Sequence, residues 1–129
     1  MEFNFTSQIC TTKEQSKLLL ALGLKTETAD MTYFNDKICS AAYNEMECPY
    51  DNLIYPAWSL HRLIEMMPSF IDIGEHNYMF SIIQGKLFSY TSDIVGNGFL
   101  YGKGSVYDSA IYTIEWLIKE GYFNKDYLQ

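Results

Sequence analysis

The chain has 129 residues, 48% of them hydrophobic and 19% charged, which is the composition of one globular domain rather than of a disordered segment. Sixteen acidic residues against nine basic ones give a formal net charge of −7, and Arg62 is the only arginine. Proteins that bind nucleic acid or anionic membranes gather Lys and Arg on one surface, and no such cluster occurs along this sequence. We therefore expect no direct binding to nucleic acid or membranes.

The cysteines Cys10, Cys39 and Cys48 are odd in number, and no two have the C-x-x-C spacing. This pattern argues against a disulfide framework and against a zinc site of the usual type, and it predicts reduced, buried thiols. The N-terminal segment lacks the regions of a signal peptide, and no apolar run approaches the ~18 residues of a membrane span. We therefore expect a cytoplasmic location.

The first helix signal follows ten residues that we expect to be extended or flexible. Thr11 and Thr12 each begin a capping-box pattern, in which a hydroxyl and a side chain three residues later satisfy each other's free backbone N–H groups. Either threonine can therefore begin a helix over about residues 12–22. Gly23 suits its end, because a helix commonly stops at a residue in the left-handed conformation.

Two further helices are predicted. One spans about residues 59–67, carries an apolar stripe at helical spacing, and ends before Pro68. The other spans about residues 105–120, and Gly121 suits its end. Its expected core face consists of six residues that share one arc of the helix: Val106, Ala110, Ile111, Ile114, Leu117 and Ile118.

Residues 77–84 and 86–91 read as a β-hairpin that turns near Gln84-Gly85, and residues 99–101 read as a third strand. Both faces of the first strand carry apolar residues, which favours an interior strand over an edge strand. Residues 31–34 form a further strand candidate, residues 39–43 are ambiguous between strand and helix, and residues 44–52 read as an acidic loop. We predict a single two-layer α+β domain over 1–129, with an antiparallel hairpin or meander at about 77–101 packed by the long C-terminal helix and the two shorter ones.

The glycine-rich stretch Gly102–Ser105 resembles a phosphate-binding loop only superficially. The spacing from Gly98 is one residue short of the P-loop pattern, and Gly104 occupies the position of the hydroxyl that would bind magnesium. A helix start explains the residues better, with Ser105 as the N-cap and Asp108 at the positive end of the helix dipole. The loop therefore predicts local structure rather than nucleotide binding.

Aromatic residues mark the candidate contact surface. Tyr112 and Trp116 are four residues apart on the side of the last helix that faces away from its predicted core arc. Such a pair requires cover, either from another segment of the chain or from a partner. With Trp58, which otherwise docks the entry of the second helix, these residues are our predicted partner-contact site.

The sequence gives little support for a catalytic site or a metal site. His61 and Glu65, one helical turn apart, can form a metal half-site or a base with its orienting carboxylate, and an ordinary surface pair is the alternative. His76 lies in a turn before a strand, and no pattern joins either histidine to Cys39 or Cys48. The acidic loop lacks the residue order of a calcium-binding EF-hand. We predict no catalytic, metal-binding or cofactor-binding residues.

Three stretches carry a resemblance to known proteins. They run from Leu19-x-x-Leu22-Gly23-Leu24 to Thr28-Ala29-Asp30-Met31, from Pro56 to Leu60 as Pro-Ala-Trp-Ser-Leu, and from Asp108 through Trp116-Leu117-Ile118 to Gly121-Tyr122. In these stretches the chain resembles uncharacterised small acidic proteins of Bacteroides-type gut bacteria and their phages or mobile elements. These are caps, turns and core positions, so the resemblance implies a fold and an accessory role, with no activity to carry over.

The residues and the resemblance together predict a non-enzymatic protein-interaction or accessory protein of a phage or mobile element, whose partner is another protein or a second copy of the chain. One alternative is an acidic mimic or inhibitor that binds a basic, nucleic-acid-binding protein. The other is a small-molecule-binding protein or enzyme that uses His61 or His76. The first alternative predicts acidic residues gathered on one face, and the second predicts a pocket around a histidine.

Overall fold

The computed structural model describes residues 7–46, 54–85 and 87–129, apart from the side chain of residue 97. Within them, the helices Lys13–Ala21 (α1), Leu60–Glu65 (α2) and Val106–Glu120 (α3) accompany two antiparallel sheets, which confirms the predicted α+β class. The seven strands are Met31–Phe34 (β1), Lys37–Cys39 (β2), Ile54–Ala57 (β3), Phe70–Ile73 (β4), His76–Ile83 (β5), Leu87–Ser92 (β6) and Gly96–Tyr101 (β7).

The larger sheet is a four-stranded meander in the order β4-β5-β6-β7. The predicted turn at Gln84-Gly85 is confirmed: both residues have positive φ, as a tight hairpin turn requires, and Ile83 pairs with Leu87. β7 begins three residues before its predicted start. The pairing of β6 with β7 has a register shift next to Tyr90, in the first half of β7. Gly98 lies there, and a Cβ added to it would be only 2.9 Å from the ring of Tyr78.

The smaller sheet has the order β2-β1-β3. β1 is confirmed, whereas the ambiguous stretch 39–43 divides between the end of β2 and a short 3-10 turn over Tyr43–Glu45. The sequence pattern predicts no strand at β3, which contains Pro56 and directly precedes the second helix. As an edge strand, β3 tolerates a proline. Most of the predicted acidic loop, residues 47–52 with Cys48, lies outside the described residues.

Helix α3 is the centre of the core. It contacts β6 and β7 of the four-stranded sheet as well as α1 and α2. Four residues of its predicted core face are buried, and Val106 and Ile118 are half-buried. The buried arc is wider than predicted, because it also includes Tyr107, Ser109 and Thr113. Packing against two layers rather than one accounts for the difference.

Both long helices begin as their capping patterns predict. Ser105 accepts a hydrogen bond from the Asp108 N–H, and the Asp108 carboxylate accepts one from the Ser105 N–H. In α1 the equivalent pair is Thr12 with Gln15, while Thr11 is fully buried and exchanges hydrogen bonds with the backbone of Trp58. The choice between the two threonines is thus settled by burial.

Glycines at the helix ends adopt the left-handed conformation that the sequence predicts. After α1, Gly23 has φ 99°, and the next N–H, that of Leu24, donates to the Leu19 carbonyl. The chain ends close by: Leu24 and Leu128 form an isolated antiparallel bridge, and the Gln129 N–H donates to the Gly23 carbonyl. The last residues are therefore held against the end of the first helix.

A hydrogen bond joins the side chain of Gln15, in the first turn of α1, to the carboxylate of Asp108, in the first turn of α3. This contact predicts a pH dependence of stability. The Gln15 side chain and the Ser105 N–H lower the pKa of Asp108 from its ordinary value of 3.8 by stabilising the carboxylate. A carboxyl whose pKa is lower in the folded state stabilises the fold above its unfolded pKa, and this contribution is lost as the pH falls through its folded pKa. We expect the stability advantage of the wild type over Asp108→Asn to shrink as the pH falls below the ordinary value of 3.8.

Urea unfolding followed by tryptophan fluorescence measures this difference. Glu115→Gln is the matched control, since Glu115 is an exposed carboxylate on the same helix. A difference between Asp108→Asn and wild type that stays constant across the pH range would contradict the expectation.

Candidate interaction surfaces

Trp116 is covered within the chain. Its ring stacks on Phe99 of β7 with centroids 4.5 Å apart and on Tyr90 of β6 at 6.1 Å, and the ring of Tyr122, just after the end of α3, lies 5.8 Å away. Tyr112 and Trp116 are four residues apart on α3 and rise about 6 Å along it, which nearly matches the ~6.6 Å between the alternate residues Phe99 and Tyr101 of β7. The two helix rings can therefore stack on the two strand rings. The sequence left open whether Trp116 is covered by another segment of the chain or by a partner. In the described residues, the chain itself covers it.

Tyr112 is the partly open member of the pair. Its ring stacks on Tyr101 at 3.9 Å and lies 6.4 Å from Phe99, yet 45% of the residue remains exposed. Beside it, Glu115 and Lys119 complete a shallow depression with Trp116. The prediction that Tyr112 and Trp116 contact a partner stays a prediction, with Tyr112 as the more accessible residue.

Trp58 lies in the core and offers no surface to a partner. It is fully buried, and its indole N–H donates a hydrogen bond to the Thr28 hydroxyl at 2.9 Å. The alternative use considered for it, docking the entry of the second helix, agrees with the position of Trp58 one residue before Ser59, the N-cap of α2. The prediction that Trp58 belongs to the partner-contact site is therefore corrected.

The two histidines proposed for chemistry lie on different elements of the fold, and within the described part of the chain only His61 has an acidic partner close by. His61 Nε2 lies 3.3 Å from Glu65 Oε2 on α2, where the histidine side chain is 86% exposed, and Arg62 Nη1 lies 3.3 Å from the other oxygen of the same carboxylate. His76 begins β5 and pairs with Ile73. Among the residues that the structure describes, no group of three His, Cys, Asp or Glu side chains is placed to hold a metal ion.

Cys10 is buried and takes part in a polar cluster. Its thiol lies 3.7 Å from the Tyr33 hydroxyl, which in turn donates to the Thr11 carbonyl at 2.9 Å. Burial raises the pKa of the Cys10 thiol, which favours the unreactive protonated form. Cys39 is half-buried, and Cys48 lies outside the described residues.

A cavity of about 350 Å³ opens between the α2–β4 connection and the C-terminal segment. Its wall includes Glu65, Pro68, Tyr122, Asn124 and Tyr127, and neither histidine lines it. The carboxylate of Glu65 already faces Arg62, so its charge is compensated. The cavity thus does not unite the groups that the small-molecule hypothesis requires.

A surface that sequence reasoning missed is the face of the four-stranded sheet opposite α3, here called the outer face. Alternation along the strands places four large apolar side chains there, all roughly half-exposed: Phe70, Met79, Ile83 and Leu100. Between them, the hydroxyls of Ser81 and Ser89 form a hydrogen bond of 2.7 Å. The sequence signal was the apolar pattern on both sides of β5, from which we inferred an interior strand.

That inference is confirmed, because β5 lies between β4 and β6. Its interior position does not bury both faces of β5, however, since Met79 is 55% exposed in the described structure. The inner face, by contrast, is covered, with Tyr78, Phe88 and Tyr90 all buried.

Comparisons with family models, with curated proteins and with solved structures give no match for this chain. Among the described helices, none combines the length and apolar character that crossing a membrane would require.

The aromatic contacts lead to a prediction for α3. Removing the Trp116 ring leaves a cavity between α3 and β7, so we expect Trp116→Ala to lower the free energy of unfolding by about 3 kcal/mol. Tyr112→Ala, which removes one stacked but half-exposed ring, should cost about 1 kcal/mol. Denaturant unfolding measures both, and light scattering at a fixed concentration should give the same mass for both variants and wild type. A lower mass with unchanged stability would instead assign Trp116 to a partner interface.

Proposed function

We propose that the protein is a non-enzymatic interaction protein that acts through contacts with another protein chain. The observation that carries this proposal is the outer face, where Phe70, Met79, Ile83 and Leu100 each expose about half of their surface around the serine pair Ser81–Ser89. Exposed apolar surface on one face is costly to leave in water and commonly marks a site of protein contact.

The outer face is rigid enough to act as a recognition surface. Its strands are paired along their length, and the Ser81–Ser89 hydrogen bond links the two central strands across the middle of the face. A partner that packs on it therefore meets side chains already held in place, which limits the entropy lost on binding. The resemblance noted from the sequence adds the proposal that this partner belongs to, or is encountered by, a phage or mobile element.

The acidic-mimic alternative receives less support from the arrangement of charges. Exposed acidic side chains occur on all three helices and in turns of both sheets, for example Glu14, Glu65, Glu120, Asp36 and Asp93. A mimic of nucleic acid would present such charges together on one face. An apolar sheet face is the more concentrated feature, and we place the interaction there.

Site-specific photo-crosslinking tests the proposal. A photoreactive benzophenone amino acid at position 79 should form a discrete crosslinked protein in cells of the native host, because Met79 is central to the proposed contact. Position 18 is the matched control: Leu18 is 57% exposed, much like Met79, but it lies on α1.

Identification of the crosslinked product by mass spectrometry distinguishes the outcomes. A product from position 79 that is absent from position 18 supports the proposed surface, whether it contains another protein or a second copy. The same product from both positions, or none from position 79, would contradict it.

A further inference from the structure

We propose that the outer face binds a second copy of this chain, in a dimer whose two-fold axis lies between the stacked sheets and runs across their strands. The inference rests on the proposed function, since it names the occupant of the same surface. The axis would follow the middle row of the face, which the strand registers define as Ser81, Ser89 and Leu100.

The face is suited to self-association because it is almost uncharged. On the outer positions of the four strands, among the residues whose side chains are described, Asp72 is the only charged residue, and its carboxylate accepts a hydrogen bond of 2.9 Å from the Asn77 side chain. Two copies can therefore stack while covering one carboxylate from each chain, that of Asp72, and most of the charges that give each chain its net −7 stay outside the contact. Burial of charge, the usual obstacle to such packing, is limited to that residue, whose carboxylate keeps its hydrogen bond from Asn77.

The two ends of the sheet carry opposite charge. Because the strands form a meander, the β4–β5 and β6–β7 turns lie at one end, and they expose Glu75 and Asp93. Lys103 is exposed just beyond the opposite end of β7. Asp108 also lies near that end, but it belongs to α3 on the inner side of the sheet, where Gln15 hydrogen-bonds its carboxylate.

This polarity selects the direction of the axis. A two-fold axis across the strands places the acidic end of each sheet over the Lys103 end of the other, so Asp93 of one copy approaches Lys103 of the other twice in the dimer. An axis parallel to the strands would place the acidic ends against each other, which is unfavourable. Pairing at the rim gives orientation more than affinity, because exposed ion pairs contribute little stability.

The size of the face sets the strength of association. With strands about 4.8 Å apart and about 3.3 Å per residue, four strands offer a face of roughly 350 Å². Stable interfaces bury about 800 Å² from each partner, so this dimer belongs to the weak, reversible class. We expect an equilibrium that depends on protein concentration rather than a permanent dimer.

Sedimentation equilibrium from tens of micromolar to about 1 mM tests the proposal on the isolated protein. The wild-type mass should rise from 15.0 kDa towards about twice that value. Met79→Lys should abolish the rise by placing charge in the stacked faces, whereas Leu18→Lys on α1 should leave it unchanged. Both sites are more than half exposed, so both variants should fold, and circular dichroism and thermal unfolding verify this.

Charge exchange then tests the axis. Asp93→Lys or Lys103→Asp alone should weaken association by roughly tenfold, and the two substitutions together should restore it. A wild type that stays monomeric at 1 mM, or a dimer insensitive to Met79→Lys, would overturn the second copy as occupant. The proposed function would survive that result if position 79 still crosslinked to a different protein. A dimer sensitive to Met79→Lys that is not restored by the charge exchange would overturn the proposed axis.

Discussion

The packing of α3 between two layers is the constraint on which the rest of the structure depends. One side of the helix meets β6 and β7 through stacked aromatic rings, with Trp116 on Phe99, and the other sides meet α1 and α2. A helix enclosed in this way buries polar positions too, and their hydroxyls are satisfied by main-chain carbonyls: Thr113 donates to Ser109, and Ser109 to Lys103. Because α3 packs on the inner face of the sheet over β6 and β7, the outer face is left as the available surface.

Signals contained within a few residues were the ones that the sequence predicted well. The caps at Thr12 and Ser105, the turn at Gln84-Gly85 and the stop at Gly121 each involve groups at most four residues apart, so the chemistry that forms them is visible locally. Gly104 illustrates the same point: its φ of 75° and the 2.7 Å between a would-be Cβ and Asp108 explain the glycine without a phosphate.

Features that depend on distant partners were predicted poorly. β3 and β4 are four-residue strands whose identity comes from pairing with β1 and β5, and periodicity is weak over so short a span. For the candidate site, the apolar pattern of β5 was visible, but which of its faces α3 would cover was not. Likewise, Trp58 and Trp116 read alike in sequence, and only their neighbours distinguish a buried indole from one at the edge of the core.

Residues 23–25, just after α1, pair with residues 127–129, so the end of the first helix is completed by residues that are synthesised long after it. Leu24 bridges Leu128, the Lys25 N–H donates to the Tyr127 carbonyl, and Gln15 bonds Asp108 across 93 positions. Contacts of such long sequence separation close large loops and slow folding. During synthesis, α1 cannot reach its native surroundings until α3 and the residues after it have left the ribosome. Until then its apolar side lacks the native partners that α3 supplies.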